Sequence, residues 1–311
     1  MKKSVFARSF AILLISCIFC SILSGCGSSS KSSSSEPPVY SPLRVLVPEA
    51  PGSDTLGSSP LTLDVSNITQ GYFVAQSDSA DLVTSLQITA PTGVLYAYFI
   101  DPGENAVIPF TEGNGDYTVV GYQQIQGDQY AALYSEILTV ELENDFFPFL
   151  YPNQYVNFSP DSEASKLALS MVSEDTTDVD ALKQIYNYVV NNLTYDYDKA
   201  ETVETGYLPD VDETLSTKTG ICFDYAALTT AMLRSCDIPC KLQIGYTGDI
   251  KHAWIDVYIR SKGWVTGAVS FNGDSWSLMD PTFDSSADSD DTEAIQDYIG
   301  NADNYTVQFT R

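Results

Sequence analysis

Apolar residues change their spacing along the chain, and each change predicts a different kind of element. Ala11 to Leu23 form one apolar run behind Lys2, Lys3 and Arg8, too short to span a bilayer comfortably. From Gly27 to Ser59 large apolar residues are sparse while Ser, Pro and Gly dominate, the composition of a flexible tether. Between about Leu61 and Leu142 short β-rich runs take over: Leu61 to Val65, Leu86 to Thr89, Val94 to Ile100 and Tyr117 to Tyr122. Turn residues such as Pro91-Thr92-Gly93 and Asp101-Pro102-Gly103 separate them, and strands at this spacing predict a small β-sandwich. A boundary falls at Phe146 to Leu150, after which the period lengthens. Ser162 is placed to cap a helix running through Met171, and Leu182, Ile185, Val189 and Leu193 recur at helical spacing. An acidic, turn-rich connection, Tyr195 to Glu213, leads to a helical stretch that starts beside Cys222 and stops before Asp237-Ile238-Pro239. Strand patterns follow at Lys241 to Tyr246 and His252 to Ile259. Alternation in the second puts His252, Trp254, Asp256 and Tyr258 on one face. After a Gly-containing excursion, Trp276 to Asp280 reads as a further strand.

Composition narrows the chemistry. The 311 residues carry a formal net charge of −26 with 44% apolar content, enough for about two domains of roughly 150 residues. Phosphate binding needs a basic surface, so nucleic acid is excluded as a partner. One histidine, His252, rules out His-rich zinc sites and confines imidazole chemistry to one address. The acidic tail Asp284 to Asp291 lacks the glycine and closing glutamate of an EF-hand loop and reads as a solvated loop. No metal or cofactor is implied. An acidic face near a cleft would favour cationic or lysine-bearing substrates.

The N-terminal run ends in Leu23-Ser24-Gly25-Cys26, which resembles a bacterial lipobox. The resemblance implies a signal peptide over 1–25, cleavage before Cys26, and a lipid on the Cys26 thiol. The mature protein would then be a membrane-anchored lipoprotein at the cell surface. Cleavage removes three basic residues and no acid, which moves the charge to −29. Anionic lipid repels such a chain, and a covalent lipid offsets that repulsion. Cys222, Cys236 and Cys240 are left, an odd number that predicts a free thiol. Whether Cys236 and Cys240 pair stays open, and Cys236, near a helix C-terminus, reads as structural.

Cys222 falls at a helix N-terminus, where unpaired N–H groups and the helix dipole favour a thiolate. A buried small hydrophobe is the plainer alternative. If the strand of His252 pairs antiparallel with Trp276 to Asp280, then Asp280 lies beside His252, the geometry in which a carboxylate fixes an imidazole tautomer.

Taken in order, Gly220-Ile221-Cys222-Phe223-Asp224-Tyr225-Ala226, Leu233-Arg234, Ile238-Pro239, His252-Ala253-Trp254 and Asp280-Pro281-Thr282-Phe283 resemble the core of the transglutaminase-like superfamily. Asn192 to Asp196 resembles a segment recurrent in its bacterial members, and the likeness covers roughly Leu150 to Asp284. The Gly115-Asp116-Tyr117 turn resembles the final hairpin of an immunoglobulin-like module. The expected fold class is α+β, with a tether over 26–59, an immunoglobulin-like β-sandwich over 60–145 and a papain-like transglutaminase-type domain over 146–311. The resemblance implies a Cys222–His252–Asp280 triad acting through an acyl-enzyme on peptide, protein or cell-wall peptide amides. Hydrolysis is favoured over cross-linking, because no feature specifies an amine-acceptor site. Tyr195, by its place in the family segment, is a candidate second oxyanion donor beside the Cys222 N–H. The competing reading is a surface binding or scaffolding lipoprotein without catalysis.

Overall fold

The computed structural model describes residues 45–266, 269–271, 276–278 and 305–311. The expected signal peptide, Cys26, Asp280 and the acidic stretch Asp284 to Asp291 lie outside the described residues.

Eight strands come first: β1 (Thr55–Ser58), β2 (Leu61–Asp64), β3 (Tyr72–Ser77), β4 (Thr84–Thr89), β5 (Leu95–Ile100), β6 (Asn105–Pro109), β7 (Gly115–Gln126) and β8 (Gln129–Val140). They make two antiparallel sheets, ordered β1-β2-β3-β6 and β5-β4-β7-β8. Period-two alternation is the cause: along β5, Tyr96, Tyr98 and Ile100 are buried while Leu95, Ala97 and Phe99 face out. Leu61, Leu63 and Phe73 of one sheet share a core with Leu86, Ile88, Tyr117 and Val119 of the other. The two sheets therefore pack face to face. Gly115-Asp116-Tyr117 opens β7, the first strand of the last hairpin here. The Tyr117 hydroxyl donates to the Gly113 carbonyl at 2.8 Å, fastening the corner where the chain crosses between sheets.

The tether is shorter than its composition predicts. Thr55–Ser58 pair with Leu61–Asp64, and Leu46 is buried with Tyr72 and Val74. The described part of Gly27 to Ser59 therefore belongs to the folded body. Two scattered apolar residues, Leu46 and Leu56, anchor a stretch whose Ser and Pro content masks them.

The second half contains α1 (Glu163–Met171), α2 (Asp178–Asn192), β9 (Thr194–Tyr195), α3 (Tyr197–Thr202), α4 (Val211–Thr217), β10 (Thr219–Gly220) and α5 (Cys222–Ser235). Then come β11 (Cys240–Thr247), β12 (Ile250–Ile259), β13 (Gly263–Thr266), β14 (Val269–Phe271), β15 (Trp276–Leu278) and β16 (Tyr305–Thr310). Ser162 stands at the N-cap of α1, but its hydroxyl accepts from the Ser159 N–H instead of a helix amide. The free Ala164 N–H is taken by Asp212 of α4 at 2.9 Å, a cap from a distant segment. The connection Tyr195 to Glu213 is not mere turn. It holds α3 and the start of α4, whose N-caps Asp196 and Asp210 accept helix N–H bonds.

The sheet runs β13-β12-β11-β16, all antiparallel. The strand Trp276–Leu278 does not pair with β12 as expected; it forms a hairpin with β14. Beyond β11 on one edge, β12 already holds β13 over Asp256–Ile259 on the other. Ala253, Ile255 and Val257 face a core made with α1, α2 and α5. The other face is covered as well. Phe146, Leu150 and Tyr151 pack between Tyr72 and Val74 of the first half and Tyr258 and Trp264 of the second. The boundary Phe146 to Leu150 is thus a shared core rather than a linker.

Two buried guanidinium groups fasten this arrangement, and among the described residues neither pairs with an Asp or Glu side chain. Arg234, fully buried, donates to the carbonyls of Tyr151 (2.8 Å), Cys240 (3.0 and 2.8 Å) and Arg311 (2.8 Å). Burial lowers its pKa to about 10, still cationic at neutral pH. Arg311 inserts among Tyr96, Tyr98 and Tyr155, 4.2 to 4.7 Å from their ring centroids, and donates to the Tyr98 hydroxyl at 2.7 Å. Replacing Arg234 by Lys keeps the charge but removes the planar fork, stranding buried carbonyls. Urea denaturation of Arg234→Lys is expected to show a loss of about 3 kcal/mol; an unchanged midpoint would contradict this role.

Candidate active site

Cys222 is the first residue of α5 and is partly exposed. From Asp224 onward α5 is buried on every side, as its continuous run of apolar and small residues dictates. Arg234, near the C-terminal end of α5, grips the Cys240 carbonyl where β11 begins, and Cys240 pairs with Val257 of β12. Both α5 and β12 lead away from that end. From Ser235 back to Cys222 is ~20 Å at helical rise, and from Val257 back to His252 is ~17 Å at strand rise. With α5 packed on β12, Cys222 and His252 stand at the same end of the layer.

His252 is buried, 5% exposed, with Trp254 stacked at 6.2 Å and 15° and Tyr305 at 6.4 Å. Tyr305 belongs to β16, which approaches very closely opposite His252. Gly245, paired with His252, would put an added Cβ 1.9 Å from the Thr306 carbonyl oxygen. Any side chain there would push β16 off the sheet.

Tyr195 reaches Cys222 through the short parallel pairing of β9 with β10, Tyr195 opposite Gly220. Its phenol is pushed up to about 12, chiefly by burial and then by the Cys222 thiol charge, while the Cys222 backbone N–H acts the other way. Tyr195 is therefore a neutral hydroxyl donor across the physiological range. Cys236 and Cys240 are both free and buried, and burial raises each to about 12. They are inert small hydrophobes, with the Cys240 thiol 3.5 Å from the Thr230 hydroxyl.

The residue that fixes the start of α5 is Asp224, at 0% exposure. Its Oδ2 accepts from the Ile221 N–H at 2.8 Å and from Lys199 at 2.8 Å, and its Oδ1 accepts from the Tyr207 hydroxyl. Lys199 also lies 4.4 Å from the Tyr207 ring centroid. Sequence reading missed this trio and Tyr305. An acid three residues past Ile221 was the available signal, since that is the capping position; Tyr305 carried no local one. Gly220 is required by the same contact, because a Cβ there would lie 2.6 Å from the Asp224 Cβ. On the site's far side, Asp256 accepts from Gln243 at 2.8 Å, and Gln243 accepts from Thr310 at 2.8 Å. Of the expected triad, the described residues hold Cys222 and His252; Asp280 lies outside them.

This geometry, a helix-start thiol level with a buried strand imidazole, is one that supports nucleophilic thiol chemistry. Residues 165–267 match the model of the transglutaminase-like superfamily. The chain thus has a mixed α/β fold carrying a domain of the transglutaminase-like superfamily. It is similar to the uncharacterized protein YebA of Bacillus subtilis, 24% identical over 183 residues, 51% of this chain and 25% of that protein. It is also similar to the UPF0252 protein MJ1282 of Methanocaldococcus jannaschii, 40% identical over 62 residues, 18% of each chain. The chain therefore spans about a quarter or less of the length of these curated relatives. Among solved structures it is similar to a "Putative Cysteine Protease" from Cytophaga hutchinsonii, at 18% identity and a TM-score of 0.38, over 78% of this chain and 79% of that one.

The Lys199–Asp224 pair gives a pH signature. Burial lowers the Lys199 pKa, but its bonds to Asp224 and Tyr207 outweigh this and leave it raised. A raised cation contributes stability that is present below its unfolded value, ~10.4, and is lost as pH climbs through the folded value. Wild type should exceed Lys199→Met in urea stability at pH 7, and the difference should narrow as pH rises above the unfolded lysine value of ~10.4. A gap that persists unchanged above that pH would contradict the pairing.

Proposed function

We propose that the chain is a thiol-dependent enzyme acting on peptide or protein amide bonds through Cys222, His252 and Asp280. The observation that carries this reading is the packing of α5, which starts with a partly exposed thiol, on β12, which bears the chain's single imidazole. In the reaction, Cys222 Sγ attacks the amide carbonyl while His252 takes the thiol proton. The tetrahedral oxyanion accepts from the Cys222 N–H and the Tyr195 hydroxyl. Collapse breaks the C–N bond, His252 gives its proton to the departing amine, and a thioester to Cys222 remains. Water then cleaves the thioester, with Asp280 orienting His252. Hydrolysis is preferred to cross-linking because no amine-acceptor site is assigned.

In the same reading, Cys26 carries lipid and holds the protein at a bacterial cell surface, with peptide, protein or cell-wall peptide as substrate. The first half serves as an immunoglobulin-like module. Sheet orders β2-β3-β6 and β5-β4-β7-β8, with the Tyr117–Gly113 corner, support that assignment.

Wild type, Cys222→Ala and His252→Ala are to be incubated with peptidoglycan and with a Gln- and Lys-containing protein, and the products read by mass spectrometry. Cleavage or deamidation by wild type is expected, reduced at least ~10³-fold in both variants. Isopeptide products would overturn the hydrolytic preference. Undiminished turnover by Cys222→Ala would overturn the thiol mechanism, and inert wild type would favour a binding role.

A further inference from the structure

Apart from the thiol and imidazole, a groove of about 650 Å³ opens between the two halves of the molecule. Its volume is that of a ligand site. One wall is the β5–β6 edge with Phe99, Asp101 and Glu104; the other includes Val47, Asn153 and Leu208. Three features of the two walls bear on what the groove would hold. Val47, Phe99 and Leu208 are large apolar side chains at 54%, 52% and 37% exposure. Asp101 and Glu104 form no ion pair among the described residues, and no Lys, Arg or His lines the groove. Asn153 is 3% exposed, and its Oδ1 accepts from the Tyr155 and Val156 N–H groups at 2.9 and 3.1 Å. Its Nδ2 has no acceptor among the described residues, although a buried amide donor ordinarily finds one. The groove is also tied to the thiol: Leu208 follows Tyr207, whose hydroxyl binds Asp224, two residues past Cys222.

We propose that this groove binds an extended peptide segment bearing a lysine or arginine. The segment's apolar side chains lie on Val47, Phe99 and Leu208. Its cation sits at Asp101 and Glu104, and a backbone carbonyl accepts from Asn153 Nδ2. Two carboxylates without a counter-charge select a cation over an anion, and exposed apolar side chains beside them select a peptide over a small cation. The inference rests on the reading above that peptides are the substrate, and it names which peptides.

The test uses the full chain with Cys222→Ser, so that nothing turns over. The probe is a labelled ten-residue peptide of repeating Lys, Leu and Ala, with Glu in place of Lys as its counterpart. Fluorescence anisotropy should show binding of the Lys peptide and not of the Glu peptide. The pair Asp101→Asn with Glu104→Gln, and separately Phe99→Ala, should each weaken binding roughly tenfold. The control pair Asp128→Asn with Glu143→Gln removes equal charge from exposed positions outside the groove and should stay within about twofold. Equal weakening by both pairs would show that bulk acidity, not the groove, holds the peptide and would overturn the proposal. Failure of the Lys peptide to bind would overturn it too. A Lys peptide that binds but survives wild type intact keeps the groove and counts against the thiol enzyme. Turnover of that peptide unaffected by the groove variants does the reverse.

Discussion

A helix buried on every side, with one charge near each end, is the constraint on which the second half depends. Burying a charge is unfavourable unless it is fully paired, and α5 meets that condition in two ways. Asp224 in the first turn receives an ammonium, a phenol and the Ile221 amide. Arg234 in the last turn is satisfied by backbone carbonyls of the connector, β11 and the residue after β16. Acid at the start and base at the end also complement the helix dipole. Each end therefore gathers segments distant in sequence, and one of those ends is the turn that starts at Cys222.

The sheet carries the complementary half of the site. One face of β12 is spent on the core with α5, so the opposite face is free to hold His252, Trp254 and Asp256. That face would be open to water were it not for Phe146 to Tyr151 and the first half of the chain, which cover it. The β-rich half is thereby more than a spacer: it buries the polar face of the sheet that holds β12 and forms one wall of the groove. In the proposed reading, carboxylates along that wall are what would favour a cationic peptide.

What was legible in the sequence was whatever local period encodes. The start of α5 at Cys222, its stop before Pro239, and the alternation through His252 to Tyr258 all follow from spacing within one element. The pairing of Trp276–Leu278 was not legible, because alternation names a strand without naming its partner, and β14 took it. The end of the tether was masked by composition, since two apolar anchors suffice to fold a Ser- and Pro-rich stretch onto a sheet. Tyr305 and Arg311 depend on contacts across tens to hundreds of residues, which no window along the chain spans. Lys199 and Tyr207 lie only 25 and 17 residues from Asp224, but in a turn-rich stretch with no period to show that they meet it.

Alkylation kinetics test whether His252 acts on the Cys222 thiol without knowledge of the substrate. Native protein and His252→Ala would be treated with iodoacetamide from pH 5 to 9, and each cysteine's labelling followed by peptide mass spectrometry. Fast, pH-dependent labelling of Cys222 is expected while Cys236 and Cys240 stay unmodified, with Cys222 labelling at neutral pH slowed at least ~10-fold in His252→Ala. Labelling of Cys222 with the same rate and pH profile in both proteins would contradict it.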